Sequence, residues 1–114
     1  MSKARREVAK ALPVIIRVEG KKEGTKTLFA AFPTEYSDTT QPYSMECYSI
    51  GDGHGGCDPR YIREGTTPAT QAQVRQMLAR LKDLGYPPLR VIQRQSSAHL
   101  AERVRKYRAK YYAK

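Results

Sequence analysis

One stretch of the chain concentrates residues capable of chemistry: Asp52-Gly53-His54-Gly55-Gly56-Cys57-Asp58. Read as catalysis, His54 is a base, Cys57 a nucleophile, and Asp52 or Asp58 the orienting acid. A spacing of three in a glycine run does not fix that geometry, and no strand–turn–helix pattern exposes Cys57. Read as metal binding, Cys47, His54, Cys57 and Asp58 supply donors but lack the paired Cys-x-x-Cys spacing of structural zinc sites. Read as a phosphate cradle, the glycines offer backbone N–H groups. The run has no P-loop lysine, and Asp52 and Asp58 repel phosphate. A turn in which His54 bonds the backbone and fixes the loop accounts for the glycines more simply. No cofactor and no metal are expected, and an enzyme or metal site around His54 and Cys57 ranks third among the functional readings.

The second constellation is charge. The 114 residues carry a formal net charge of +10. Residues 13–70 sum to −2, whereas residues 1–12, 71–95 and 96–114 sum to +3, +4 and +5. A slightly acidic middle with basic ends and basic helices favours a polyanionic partner. The C-terminal run RVRKYRAKYYAK interleaves tyrosine with arginine and lysine, which suits phosphate contact with stacking on open bases. The candidate contacts are Arg5, Arg6, Arg75, Arg80, Arg103, Arg105, Lys106, Arg108 and Tyr111, with Tyr107 facing the core. Arg17, Arg90 and Arg94 interrupt strand-like runs, either as a basic sheet surface or as edge protection. No apolar run nears the roughly 18 residues that span a membrane. A cytoplasmic protein with two free thiols, Cys47 and Cys57, is expected.

The elements that position these residues are legible from periodicity. Thr70 caps a helix, and Gln73 closes a capping box. Val74, Met77, Leu78, Leu81 and Leu84 make one apolar stripe. Gly85 stops the helix and Pro87-Pro88 prevent its continuation. Ahead of it, Val14–Glu19 and Thr25–Phe32 read as a hairpin around a glycine-bounded turn, with Pro33 ending the second strand. Tyr43–Ile50 is a third strand whose core face is ambiguous. Asp58-Pro59 opens a short helical turn. Leu89–Arg94 is a fourth strand, and Ser96 or Ser97 caps a final helix. The order β-β-β-α-β-α predicts an α+β domain, with an antiparallel sheet of about four strands, a helix on one face and a basic C-terminal helix. Residues 1–12 read as a basic arm, 13–95 as the core and 96–114 as the terminal helix.

One run extends further: Tyr48, His54, Asp58, Tyr61, Thr66-Thr67-Pro68-Ala69-Thr70, Leu78, Leu81, Gly85-Tyr86 and Gln93-Arg94, with Phe32-Pro33 ahead of it. From Cys47 to about Arg94 the chain resembles a family of small proteins encoded on conjugative and other mobile elements of bacteria. It departs at Asp52-Gly53, where members tend to carry Gly-Gln before the histidine. The resemblance implies a fold and a mobile-element context, and it implies no activity and no catalytic residue. The expected function is a non-enzymatic accessory protein that binds DNA or RNA through phosphates, with weak sequence dependence. The alternative is a protein-interaction module, an inhibitor or adaptor, that sets its basic face against an acidic protein surface.

Overall fold

The computed structural model describes residues 11–20 and 26–112. The first strand, β1 (Leu12–Glu19), is the centre of the architecture. Its run Pro13-Val14-Ile15-Ile16 is buried on both sides, which explains why apolar residues there are continuous and not alternating. β2 (Thr27–Tyr36) pairs with it antiparallel, Ile16 opposite Ala30. β3 (Met45–Ser49) pairs with β2, and β4 (Gly53–Cys57) closes that side of the sheet. On the other side the edge of β1 is shared. Its second half pairs antiparallel with β5 (Thr66–Pro68), and its first half pairs parallel with β6 (Leu89–Val91). The sheet order is β4-β3-β2-β1-β5, with β6 on β1. The antiparallel α+β architecture is therefore as expected, with six strands in place of about four.

Three departures have local causes. Gly53–Cys57 reads as a turn because glycine has little strand propensity, yet β3 supplies a complete partner edge from Met45 to Ser49. Pro33 does not end β2. It lies within a register irregularity between Phe32 and Tyr36, where a missing N–H costs no ladder bond. The fourth predicted strand is parallel to β1 and shorter than Leu89–Arg94, with Leu12 N–H donating to Pro88 O and Ile92 N–H to Val14 O, both at 2.9 Å.

Helices α1 (Pro59–Glu64) and α2 (Gln71–Asp83) cover opposite faces of the sheet. Val14, Ile16, Val18, Leu28, Ala30, Phe32 and Tyr48 meet Met77 and Leu81 of α2. Ile15, Phe29, Ala31, Met45 and Cys47 meet Ile62 of α1. The third strand thus buries both sets of residues, Met45 and Cys47 on one side and Tyr48 on the other. The apolar stripe of α2 is one residue shorter than its spacing suggests. Leu84 is the C-cap residue and 42% exposed.

Both ends of α2 are built as the sequence predicts. Thr70 accepts from Gln73 N–H and Gln73 accepts from Thr70 N–H, at 3.2 and 2.8 Å. At the other end Gly85 takes φ +95°, Tyr86 N–H donates to Leu81 O and Gly85 N–H to Lys82 O. Thr70→Ala removes one N-terminal acceptor and is expected to cost about 1 kcal/mol, read as a lower urea midpoint at unchanged m-value.

Helix α3 (Ser97–Tyr111), capped by Ser96, packs on the far end of β2 and on the 37–44 loop. Tyr107 is buried, and its hydroxyl donates to Thr39 O at 2.9 Å. Among the described residues no helix is long and apolar enough to cross a membrane.

Candidate nucleic-acid interface

Asp58 and Pro59 set the site's first element. The Asp58 carboxylate accepts from Arg60 N–H at 2.8 Å and caps α1, with Pro59 at the first helical position. Ile62 then points into the core, so Arg60 and Arg63, three residues apart, share the outer side of this short helix. Arg94, just beyond β6, lies against the same place. The three arginines line one cleft of about 300 Å³, whose floor is Ile15, Met45 and Ile62. The Arg60–Asp58 ion pair, at 3.6 Å, is exposed and weak. Among the described residues Arg63 and Arg94 have no ion-pair partner. Sequence reasoning missed Arg60 and Arg63. The signal was present, since two arginines at helical spacing follow the helix start at Asp58-Pro59. Their partner Arg94 is brought to them only by the fold.

The residues expected to touch phosphate are scattered. Arg75 is exposed on α2. Arg80 is also on α2, but its Nε donates to the buried Tyr48 hydroxyl at 2.9 Å. On α3, Arg105 is held by Glu102 at 2.5 Å and Lys106 by Glu35 at 2.5 Å, while Arg108 is exposed. Arg5 and Arg6 lie outside the described residues.

One expected contact is corrected, and a second is partly covered. Arg103 is wholly buried. It donates to Pro42 O at 2.8 Å, Pro33 O at 2.5 Å, Tyr43 O at 3.2 Å and Gln95 Oε1 at 2.6 Å. Every branch of the guanidinium is engaged inside the fold, and none reaches a phosphate. Tyr111 is half-buried against Tyr36 and Tyr107, at centroid distances of 5.9 and 4.9 Å. The neighbouring Tyr112, 70% exposed, is the tyrosine open to stacking. Arg17 is half-buried and engaged within the sheet. It donates to Thr66 Oγ1 at 2.9 Å and Thr66 O at 3.1 Å, tying β1 to β5.

The residues around His54 do not assemble a dyad. His54 stands opposite Tyr48, and Cys57 opposite Met45, so the two side chains leave β4 on opposite faces of the sheet. The imidazole sits over Tyr48 at 4.9 Å and lies parallel to Tyr86 at 6.0 Å and 15°. His54 is therefore placed by aromatic neighbours and not by a backbone bond of its loop. Asp58 is engaged as the α1 cap, and Asp52 is exposed. Among the described residues no group of three or more His, Cys, Asp or Glu could hold a metal.

Acidic groups gather elsewhere. Glu35, Glu46 and Glu102 line the groove between α3 and the sheet together with Arg90 and Lys106. Burial, with Glu35 nearby, holds the Glu46 carboxyl above its usual range. Glu19 forms the centre of a further network, accepting from Ser49 Oγ at 2.5 Å, Thr27 Oγ1 at 3.2 Å and Tyr61 OH at 2.6 Å. The Glu19 bond, then burial, pushes the Tyr61 hydroxyl up to about 12. Free tyrosine titrates near 10, so this hydroxyl stabilises the fold fully below about pH 10. That contribution is lost as pH rises through about 12. Tyr61→Phe is expected to cost under about 1 kcal/mol at neutral pH, because the site is partly solvated. The variant should also lack this alkaline loss, read from urea midpoints of both proteins between pH 8 and pH 12.

The chain matches no protein-family model, no curated protein and no solved structure.

Proposed function

We propose that this chain is a non-enzymatic nucleic-acid-binding protein that contacts phosphates through its α1–β6 cleft, with little sequence readout. The observation that carries the reading is the convergence of Arg60, Arg63 and Arg94 on one cleft with an apolar floor. Arginine's planar fork suits phosphate, and its weak hydration keeps desolvation modest. Arg75, Arg90 and Arg108 add charge of the same sign on other surfaces, as do Arg5 and Arg6 in the sequence. Tyr112 and the exposed Tyr43 supply aromatic faces for unpaired bases. The resemblance to proteins of conjugative and mobile elements fits an accessory role in transfer, replication or regulation.

The test is fluorescence anisotropy with labelled single-stranded and double-stranded DNA and RNA at several salt concentrations. Binding that falls steeply with salt and varies little with sequence is expected. Absence of binding even at low salt would overturn the reading and turn attention to an acidic protein surface as partner.

A further inference from the structure

The α1 face of the sheet holds a second feature, independent of the arginine cleft. Cys47 lies opposite Gly55 and Cys57 opposite Met45, so the two thiols are diagonal neighbours on one face of adjacent antiparallel strands. Both are free. The two thiols act on each other, which pulls the Cys47 thiol down and pushes the Cys57 thiol up. With Glu19, Phe29 and Tyr61 they line an open cavity of about 410 Å³. Gly55 lies beside them, where a Cβ would sit 3.8 Å from the Cys47 sulfur, an ordinary contact.

The charge nearby is unbalanced. Arg103 is wholly buried, and its hydrogen bonds go to three carbonyls and an amide oxygen. Among the described residues no carboxylate pairs with it. Burial pulls the guanidinium down, and of the ionisable groups Cys57 acts on it in the opposite sense. A buried guanidinium favours a counter-charge beside it, and the Cys57 sulfur becomes one only when a bound cation displaces its proton.

We propose that Cys47 and Cys57 form a two-sulfur site for a thiophilic monovalent cation of the Cu(I) class. Two thiolates and one monovalent ion carry a net charge of −1, which Arg103 balances. Thiolate ligands select soft ions, whereas a structural zinc ion takes four ligands and these strands offer two. A direct disulfide fits less well. Diagonal partners across antiparallel strands stand roughly 7–8 Å apart, at or beyond the reach of about 7 Å for an S–S bridge. Binding forms two sulfur–metal bonds and releases the thiol protons to solvent, and no electrons are transferred.

The experiment is anaerobic titration of the full chain with Cu(I) buffered by bicinchoninate, with Ag(I) as a probe that does not change oxidation state. One ion per chain is expected, with sulfur-to-metal charge-transfer absorption and a higher Tm for the loaded protein. Cys47→Ser and Cys57→Ser should each abolish stoichiometric binding. Circular dichroism confirms that each variant is folded, and Gly55→Val, which keeps both thiols but adds bulk beside the Cys47 sulfur, should weaken loading. Failure of the folded wild type to compete with bicinchoninate would overturn the proposal. So would equal binding by the doubly substituted protein, or conversion of the wild type by mild peroxide to an intramolecular disulfide in place of an ion complex.

Discussion

Replacing Arg103 with methionine lowers the stability of the protein by about 3 to 5 kcal/mol. The guanidinium ties together three segments far apart in sequence. It binds Pro33 O at the irregularity of β2, Pro42 O and Tyr43 O in the loop before β3, and Gln95 just ahead of α3. Methionine fills much of the volume but donates nothing. Buried carbonyls then lose their partners, and each such loss costs about 1 to 3 kcal/mol. Whole domains are stable by only about 5 to 15 kcal/mol, so this change threatens folding. Arg103→Lys recovers only part of the loss, because one ammonium cannot reach acceptors set around a planar fork. Urea denaturation of the three proteins checks the ranking. A loss below about 1 kcal/mol for the methionine variant would show that the guanidinium is not the clamp described.

Neutralising the cleft with Arg60→Gln, Arg63→Gln and Arg94→Gln together weakens nucleic-acid binding on the order of 100-fold at low salt. The figure takes about 1 kcal/mol for each exposed charged contact, and roughly 3 kcal/mol is about two decades in Kd. Stability should change little. The three side chains are exposed, and the single ion pair among them is the weak contact with Asp58. Arg103 and this triple therefore separate the structural use of arginine from the proposed binding use. One variant loses fold and the other loses binding.

What the sequence disclosed follows the range of the signals. The α2 helix was readable end to end because Thr70, Gln73 and Gly85 act within a few residues of themselves. Tyr107 was readable as a core residue for the same reason. The strand at Gly53–Cys57 was not, since its conformation comes from the edge of β3 and not from glycine. β5 has three residues, too few for a pattern. Arg103 was read as surface by residue type. Its spacing said otherwise, three residues after Leu100 and four before Tyr107, within the buried side of α3. The arginine cleft depends on bringing α1 and the end of β6 together, which no local pattern carries, whereas the separation of His54 from Cys57 follows from strand alternation once Gly53–Cys57 is known to be a strand.

The most direct measurement is the slope of log Kd against log salt for the wild type, the cleft triple variant and a control of equal charge loss, Arg75→Gln, Lys82→Gln and Arg108→Gln. These control residues are exposed on α2 and α3. If the cleft holds the phosphates, its variant loses about three units of slope, roughly one for each arginine, and the control loses much less. An unchanged slope in the cleft variant, with the loss in the control, would contradict the α1–β6 cleft as the contact site.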